Sequence, residues 1–350
     1  MNAQPLRLQN RKAVLHVSEA YGGGVQAAIQ QYVKNSPGLK HRLLVRNRVA
    51  HDIDIESGIE ESSFDGSVLS FLFAARREIL RTKPQIVHLH SSFAGLLRIF
   101  KFDPEVKVIY TPHAYAFLRE DCSLTARLSF KLIEIALSTT TQTIAAISPF
   151  EVAQAVRMAG RRATVKYLPN IVSNIGENPQ DESSATYRGE IVTVGRISPQ
   201  KDPGFFAESA RCSKLDLRWT WVGDGDPEAK AQLREAGVIV TGWLPNSMVQ
   251  RYVGSADLYL HTAKWEGAPV TLLEAAALGT PVLARKIVSL TGLGYAFAGE
   301  TPQGVAMAVD RFFEDRSYRD HTHATTIESV GVHSTEAQSV ALADLYGGEK

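Results

Sequence analysis

Short apolar runs alternate with longer segments of helical periodicity along the whole chain. The runs are rich in Val, Ile and Leu, which is typical of strands that are buried on both faces of a sheet. They cover residues 12–18, 41–46, 86–90, 106–111 and 164–168 in the first half, and 190–195, 217–223, 238–242, 257–262 and 281–284 in the second. Strands that alternate with helices in this way predict βαβ units and parallel sheets.

One polar segment interrupts this rhythm. Residues 173–189 are rich in Ser, Pro and acidic residues and show no apolar period, which is typical of a linker. The pattern therefore predicts an α/β protein with two Rossmann-like doubly wound domains, 1–172 and 190–333, that face each other across a cleft. Ligands of such folds bind at the carboxyl ends of the strands. A final helix over 334–346, capped by Ser334, either extends the second domain or joins the first.

Composition and length are those of an ordered globular protein. The chain has 350 residues, of which 44% are hydrophobic and 21% charged. Its apolar runs fall far short of the roughly 20 residues that span a bilayer, and its N-terminus lacks the apolar core of a signal peptide. Two cysteines, Cys122 and Cys212, are too few for a disulfide framework or a thiolate zinc site. We therefore expect a cytoplasmic protein.

The charge is unevenly distributed, although the net charge is only +1. Residues 1–172 carry an excess of Lys and Arg, and the rest of the chain carries an excess of Asp and Glu. A basic half indicates an anionic partner such as a membrane surface, a phosphorylated lipid or a nucleic acid. The alternative is that the two halves have drifted apart in charge without a function. Two basic and apolar stretches, 71–83 and 93–102, are suited to peripheral contact with an anionic membrane. The alternative is that they are buried helices with basic outer faces.

A glycine-rich turn follows the first strand. Gly22 and Gly23 precede a predicted helix, where backbone N–H groups can approach a phosphate. The turn does not match G-x-G-x-x-G, because Ala27 replaces the last glycine, and the second strand ends without the acid that holds an adenosine ribose. A nicotinamide-type cofactor is not favoured. A phosphate contact and a plain tight turn both remain open.

Two cations follow the first strand of the second domain. Arg196 and Lys201 lie just before a helix that starts at Asp202-Pro203. Cations at the carboxyl end of a strand, beside a helix N-terminus, form an anion site. The alternative is that they are two solvated surface cations.

Other polar clusters do not predict a metal site. Asp224 and Asp226 lie between glycines and a proline, which favours a turn. His88 and His90 share one face of a strand, but no acid or thiol cluster accompanies them. His113 follows a strand and a proline, which places it on a loop at the carboxyl edge of the sheet, where functional side chains concentrate.

Glu266 and Glu274 flank a predicted helix start at Pro269. A glycosidase pair needs its carboxyls about 5–10 Å apart, whereas a fully helical span would separate these by about 12 Å. A bend at Glu266 shortens that distance, so the hydrolase reading stays open. The arrangement fits better two acids that accept hydrogen bonds from hydroxyls on either side of an anion bound at the helix start. That describes a nucleotide-sugar.

Motifs in the second half resemble those of glycosyltransferase family 4, the retaining enzymes of GT-B fold. GRISPQK, VGDGD and VTGWLPNSMVQRYVGSADLYLHTAKWEGAPVTLLEAAALGTPVLA occur in the family's order over about 190–285, above all Glu-x7-Glu with GTPV after it. The first half is similar more loosely, through GGG, TPHAY, ISPFE and LPN. The resemblance implies a nucleotide-diphosphate sugar as donor, and neither a cofactor nor a catalytic metal.

The resemblance also implies roles for the candidate residues. Arg196 and Lys201 would bind the donor diphosphate and stabilise it as a leaving group. Glu266 would hold hydroxyls of the donor sugar, Glu274 the ribose, and His113 would reach the sugar near the reacting carbon. Further donor contacts would come from Gly22, Gly23, Gly267, Ala268, Pro269, Val270 and Thr271, with the base near Gly242, Trp243 and Leu244.

One departure concerns the sugar. After Glu266-Gly267 the family often has an aromatic residue and a second glycine, where this chain has Ala268 and Pro269. The segment 285–297, after PVLA, also departs from the family, and we assign no role to it.

The sequence therefore predicts a metal-independent retaining hexosyltransferase that moves a sugar from UDP- or GDP-sugar to a glycan or lipid-linked acceptor, in cell-surface polysaccharide synthesis. Its expected partners are that donor, that acceptor and, peripherally, the inner face of an anionic membrane. No nucleic acid partner is expected. Alternative functions are a GT-B-like epimerase or phosphorylase and a non-catalytic nucleotide-sugar-binding protein.

Overall fold

The computed structural model describes residues 12–46, 59–172, 187–331 and 333–347. The chain divides into two compact units. The first unit contains the described residues up to Phe117, then Leu124–Ile171 and the chain from Thr335 onward, and the second contains Leu118–Ser123 and Val172–Ser334. Most of the predicted linker, residues 173–186, lies outside the described residues.

Each unit is built on a parallel sheet. The strands are β1 (Ala13–Ser18), β2 (Lys40–Arg46), β3 (Ile59–Phe64), β4 (Ile86–His90), β5 (Lys107–Thr111), β6 (Gln142–Ala146), β7 (Ala163–Tyr167), β8 (Glu190–Val194), β9 (Arg218–Val222), β10 (Ile239–Val240), β11 (Leu258–His261), β12 (Val282–Arg285) and β13 (Ala296–Gly299). The first sheet has seven strands in the order β3-β2-β1-β4-β5-β6-β7, and the second has six in the order β10-β9-β8-β11-β12-β13. The strand order reverses beside β1 and beside β8, so the loops that leave these strands lie at the usual ligand edge of each sheet.

Helices connect the strands. They are α1 (Gly23–Lys34), α2 (Val68–Thr82), α3 (Ser91–Gly95), α4 (Leu124–Leu137), α5 (Pro149–Met158), α6 (Pro203–Cys212), α7 (Pro227–Glu235), α8 (Asn246–Gly254), α9 (Val270–Ala277), α10 (Pro302–Glu314), α11 (Arg316–Gly331) and α12 (Thr335–Tyr346). Helix α12 packs on the first unit, where Leu342, Leu345 and Tyr346 join the core around Val14 and Tyr32. In the second unit, aromatic side chains including Phe206, Trp221 and Phe312 fill the core.

The predicted fold class, an α/β protein with two parallel-sheet domains, is confirmed. Three strands were not predicted. β6, with the sequence QTIAA, is buried at every position, but Ile144 is its only large apolar residue. β3, with the sequence IEESSF, lies at the edge of its sheet and has only partly buried or exposed positions. An edge strand faces water and needs no apolar run, so the pattern of hydrophobic positions does not reveal it. β13 is only four residues long and also lies at an edge.

Candidate active site

The loop between β8 and α6 carries Arg196 and Lys201, and its backbone is fixed by the loop that follows β9. A Cβ at Gly223 would lie 2.1 Å from the Gly195 carbonyl oxygen, and one at Gly225 would lie 2.2 Å from that of Ile197. Both glycines also have positive φ, of 143° and 157°. Only glycine permits these approaches, so the GDG sequence holds the backbone on both sides of Arg196.

The two cations of this loop have different surroundings. Arg196 is exposed, and its guanidinium forms no ion pair within the described ranges. The Lys201 ammonium, in contrast, lies 2.5 Å from the Glu266 carboxylate. The side chain of Lys201 runs beside Gly195, where any Cβ would meet it at 3.1 Å. Of the two residues predicted to bind phosphate, Arg196 therefore has no ion-pair partner among the described residues. Lys201 is held by Glu266, which was predicted to bind the sugar.

Glu266 is buried, with 7% of its surface exposed. Its Oε1 accepts the bond from Lys201, and its Oε2 lies 3.3 Å from the Gln200 side-chain amide. The Nε2 of His261 lies 3.6 Å from Oε1. Burial holds the pKa of His261 well below its ordinary value, so this imidazole is neutral. The charge of Glu266 is therefore balanced by Lys201 alone among these neighbours.

The segment after Glu266 leads into the start of α9. Gly267, Ala268 and Pro269 are buried, and Pro269 occupies the N-cap position. No side chain of the described chain caps this helix N-terminus. The amides of Val270 and Thr271 therefore keep the partial positive charge of an uncapped helix start, which suits a phosphate oxygen. The hydroxyl of Thr271 is buried and lies beside that of Tyr259.

Glu274 lies one turn further along α9. Burial raises the pKa of its carboxyl to about 7. Within the part of the chain that the structure describes, burial is the one influence on this carboxyl, and no side chain pairs with it. The two glutamates thus differ sharply: Glu266 is paired with a cation, whereas Glu274 is a partly buried acceptor without a partner. Their assignment to sugar and ribose stays a prediction.

Asp224 and Asp226 have structural partners. Asp224 accepts bonds of 2.9 and 3.0 Å from the Lys230 ammonium, and Asp226 caps α7 by accepting from the Ala229 amide. Both carboxylates are explained by the turn that the sequence indicated.

The loop after β10 was predicted to lie near the base. Gly242 has a positive φ of 77° and pairs with Gly223 in an isolated bridge, so this loop packs beside the GDG loop. Trp243 is 53% exposed, which is unusual for this residue type, and Leu244 follows it. An exposed indole on this loop offers a stacking surface for a base.

The glycine turn of the first unit opens α1. Gly22 takes the N-cap position and Gly23 is the first helical residue, with a φ of 54°. A Cβ at either glycine would meet nothing within 4 Å among the described atoms. The described residues therefore leave the backbone of this turn uncrowded, and the predicted phosphate contact stays a prediction.

His113 lies on a strained loop after β5. His113 and Ala114 both have left-handed backbone conformations, with φ of 49° and 74°, which cost roughly 1–2 kcal/mol each in non-glycine residues. The Ala114 amide donates a 2.7 Å bond to the Glu151 carboxyl, and the Ile147 amide donates to its other oxygen. Buried Glu151, whose pKa burial raises to about 7, thus holds the loop in place.

The role of Glu151 was not predicted. Ser148 caps α5, because its side chain accepts a hydrogen bond from the Glu151 amide. The Glu151 side chain reaches Ile147 and Ala114, not the Ser148 amide that a capping box would use. No local signal in the sequence points to this role, because the Ala114 amide lies 37 positions away.

His88 and His90 are buried on β4, as the period of two indicated. With His16 of β1 they form the one group in the described ranges whose ring nitrogens lie close enough together to hold a metal ion, within 4.8 Å of one another. Each of these rings also forms hydrogen bonds within the first unit.

Two family models match the chain. The model for glycosyl transferases group 1 matches residues 188–315, and the model for a glycosyl transferase 4-like domain matches residues 37–171. Together they cover most of both units, including Arg196, Lys201, Glu266 and Glu274 in the second and His113 in the first.

Curated relatives share about a quarter of their residues with this chain. An uncharacterized 41.2 kDa protein in the cps region of Klebsiella pneumoniae is 26% identical over 294 residues, which are 79% of this chain and 82% of that protein. The UDP-Gal:alpha-D-GlcNAc-diphosphoundecaprenol alpha-1,3-galactosyltransferase of Escherichia coli is 26% identical over 241 residues, which are 62% of this chain and 61% of that enzyme.

Solved structures share the fold at lower sequence identity. Sucrose-phosphate synthase from Thermosynechococcus elongatus is 16% identical, with a TM-score of 0.79 over 96% of this chain and 98% of that one. HepE of Anabaena, solved in complex with UDP-glucose, is 14% identical, with a TM-score of 0.73 over 96% of this chain and 100% of that one. The chain belongs to the family 4-like glycosyltransferases and has their GT-B fold.

Proposed function

We propose that this protein is a retaining, metal-independent glycosyltransferase that takes its sugar from a UDP-sugar and passes it to a lipid-linked or glycan acceptor of a cell-surface polysaccharide. The observation that carries the proposal is the order of groups on the second unit. A cation held by an acid, Lys201 with Glu266, is followed along the chain by the uncapped start of α9 and the unpaired carboxyl of Glu274. In this order, the groups suit the hydroxyls of the donor sugar, the diphosphate and the hydroxyls of the ribose.

The donor and acceptor classes are supported by proteins similar to this chain. HepE was solved with UDP-glucose. The name of the E. coli relative specifies a UDP-sugar donor and an acceptor linked to diphosphoundecaprenol. We take UDP as the nucleotide on this basis.

The chemistry follows from where charge develops. Cleavage of the sugar–phosphate bond leaves negative charge on the diphosphate. The Lys201 ammonium and the amides of Val270 and Thr271 stabilise this charge without reorganisation, because Glu266 and the start of α9 fix them beforehand. Exposed Arg196 adds a second cation. Glu266 orients the sugar through its hydroxyls and keeps Lys201 in place.

Retention does not need a protein nucleophile in this arrangement. Glu266 accepts from Lys201 and lies beside Gln200, so it is committed to positioning and is not a free carboxylate aimed at carbon. The acceptor hydroxyl would attack from the face that the diphosphate leaves and pass its proton to the departing phosphate oxygen. The new glycosidic bond then has the configuration of the bond that is broken.

A thermal-shift comparison of UDP, GDP and ADP, followed by transfer assays with UDP-sugars and a diphosphoundecaprenol-linked glycan, tests this proposal. We expect UDP to stabilise the protein most and the product to keep the anomeric configuration of the donor. Donor turnover without acceptor, or a strict need for inorganic phosphate, would instead indicate the epimerase or phosphorylase. Tight nucleotide-sugar binding without turnover on any acceptor would rule out an enzyme.

We also propose that helices of the first unit contact an anionic membrane. On α2, Leu69 and Phe73 are 69% and 63% exposed, and on α4 Leu124, Leu128 and Leu132 recur every four residues on one exposed side. Both helices contact the 3-10 helix Leu96–Ile99. Among the described residues, no helix has the length and apolarity to cross a bilayer, so the contact would be peripheral.

One expectation about this surface was wrong in detail. Within 93–102, Arg98 is not an outward-facing cation. Its guanidinium is buried, paired with Glu134 at 2.7 Å and placed 3.6 Å from the centre of the Tyr110 ring. The exposed contribution of this stretch comes from Phe93, Ile99 and Lys101 instead.

Substituting Leu128→Asp should weaken binding to phosphatidylglycerol vesicles about tenfold or more, since burying a leucine is worth about 1.5–3 kcal/mol. Val156→Asp is the matched control, because Val156 is 61% exposed on α5 of the same unit. Flotation with vesicles measures both. Equal flotation of the unmodified protein with anionic and neutral vesicles would contradict the contact.

A further inference from the structure

Five histidines lie together in the first unit. His16 comes from β1, His41 from β2, His88 and His90 from β4, and His113 from the loop after β5. The first four are buried and His113 is partly exposed. Burial lowers the pKa of every one of them, that of His113 to about 3, so all five imidazoles are neutral near pH 7. A neutral imidazole carries one N–H, and its other nitrogen accepts.

Four of these rings form one continuous line of hydrogen bonds. His113 Nε2 lies 3.0 Å from His90 Nδ1, and His90 Nε2 lies 2.9 Å from His16 Nδ1. His16 Nε2 then lies 3.0 Å from His41 Nδ1. The line ends at Ser36, whose carbonyl oxygen is 3.1 Å from His41 Nε2. Every ring uses both of its nitrogens except His113, whose Nδ1 is the open end.

The Ser36 end sets the direction of the line. A carbonyl oxygen can only accept, so His41 Nε2 donates to it. The Ser36 hydroxyl does not compete, because it donates its own proton to the Tyr32 carbonyl and is left as a second acceptor for His41 Nε2. With its proton on Nε2, neutral His41 must accept at Nδ1, so His16 donates to it from Nε2. In the same way His90 donates from Nε2 to His16, and His113 donates from Nε2 to His90.

We infer that this line of histidines is a positioning device that fixes His113 as the Nε2–H tautomer, with its Nδ1 as a bare hydrogen-bond acceptor. His41, His16 and His90 are then positioning residues, each donating from Nε2 and accepting at Nδ1. The Nδ1 of His113 takes a hydroxyl donor and repels a phosphate oxygen. If the proposed function holds, on which this last step rests, that donor is a hydroxyl of the sugar or the acceptor.

The same rings are poorly arranged for a metal ion. Nitrogens that share a tetrahedral zinc at 2.0–2.1 Å lie about 3.4 Å apart, whereas His16 Nδ1 and His90 Nε2 are 2.9 Å apart, at hydrogen-bond distance. Both nitrogens of His88 are engaged as well, with the hydroxyls of Thr111 and Tyr346 at 2.8 Å. His88 therefore lies beside the line but is not a member of it.

Nitrogen-15 NMR of histidine-labelled protein tests the inference without any substrate. The ring nitrogens of the two neutral tautomers and of the cation resonate at different positions. We expect His41, His16, His90 and His113 all to show the Nε2–H pattern from pH 6 to pH 8. An Nδ1–H tautomer or a cation at any of the four would overturn the proposal, and so would bound zinc that shifts these nitrogens at stoichiometric addition.

Two substitutions separate the line from the rest of the cluster. His41→Phe removes the acceptor of His16 Nε2, so the protons are free to reverse and His113 should lose its single tautomer. His88→Gln removes a buried ring of the same cluster and should leave the His113 tautomer unchanged. If His113 keeps its single tautomer in both variants, or loses it in both, the inference is overturned. The spectrum of the unsubstituted protein decides the matter even if His41→Phe fails to fold.

A titration with UDP and then UDP-glucose distinguishes this inference from the proposed function. Hydroxyl recognition predicts that the His113 Nδ1 resonance moves only with UDP-glucose. A phosphate-type response to UDP alone would overturn the recognition step. If neither UDP nor UDP-glucose binds, the proposed function is contradicted. The tautomer pattern of the free protein still tests the line of histidines in that case.

Discussion

Replacing Glu266 by Gln is expected to slow sugar transfer by roughly 10²- to 10³-fold, the usual effect of removing one preorganised transition-state contact. UDP affinity should be unchanged or slightly higher. The amide keeps the size of the side chain but removes the charge that holds the Lys201 ammonium at 2.5 Å. The lysine, only 19% exposed, then has the diphosphate as its one remaining counter-charge. Calorimetry with UDP and turnover with UDP-sugar measure the two effects.

Glu208→Gln is the matched control for this prediction. Glu208 lies on α6 of the same unit and is 45% exposed. Its partners are exposed Arg211 and the Cys212 thiol, both on its own helix. Such surface pairs contribute about 0–1 kcal/mol, so both UDP affinity and turnover should stay within about twofold of the unsubstituted protein. A large loss of UDP affinity in Glu266→Gln would contradict the assignment, because it would make Glu266 a ligand of the nucleotide and not of the sugar.

The fold was predictable because its information is local. Nearly every buried strand is a short run of β-branched or aliphatic residues bounded by a turn, so the period of hydrophobic positions reveals it. The edge strands β3 and β13 lack that signature, because they are half in contact with water and their pairing is set by a neighbour. The buried strand β6 lacks it as well, because Gln, Thr and Ala fill most of its positions. Helix α12 was predicted as a helix, but its place was left open, since the contact of Tyr346 with His88 joins residues 258 positions apart.

The site was predictable as residue types but not as contacts. Lys201 and Glu266 were each singled out from their local motifs, yet their ion pair joins β8 and β11 loops that are far apart in sequence. Sequence therefore assigned them to two parts of a ligand, and only the structure shows that each orients the other. Glu151 was missed for the same reason: its effect on His113 depends on the Ala114 amide, 37 positions away.

The line of histidines shows this limit most clearly. His88 and His90 were placed on one face of β4 by their spacing, which is correct. His16 joins them because β1 pairs with β4 so that His16 lies opposite His88, and His41 joins from β2 on the other side of β1. Strand order is not encoded in any one of these segments. The histidines therefore appeared as separate residues until the sheet order was known.

The affinity of UDP is expected to rise about tenfold through Glu274 between pH 6 and pH 8. With its pKa near 7, the free carboxyl is about one-tenth ionised at pH 6 and about nine-tenths ionised at pH 8. Only the ionised form has two oxygens that both accept from the ribose hydroxyls, so nucleotide binding favours the carboxylate and lowers its pKa in the complex. The affinity for UDP therefore increases with pH up to the pKa of the Glu274 carboxyl in the free protein and levels off above it.

Glu274→Gln isolates this effect, because the terminal phosphate of UDP ionises near pH 6 and adds its own pH dependence. In the variant, only the ionisation of the phosphate makes UDP affinity depend on pH. The ratio of the dissociation constants of the variant and the unsubstituted protein at each pH therefore reports Glu274 alone. We expect the variant to bind UDP about tenfold to a hundredfold more weakly at pH 8, since a hydrogen bond to a charged group contributes about 1.5–3 kcal/mol. At pH 6 the gap should narrow to a few fold. If the ratio of the two dissociation constants stays the same from pH 6 to pH 8, Glu274 is already ionised in the free protein. That result would contradict a pKa raised by burial.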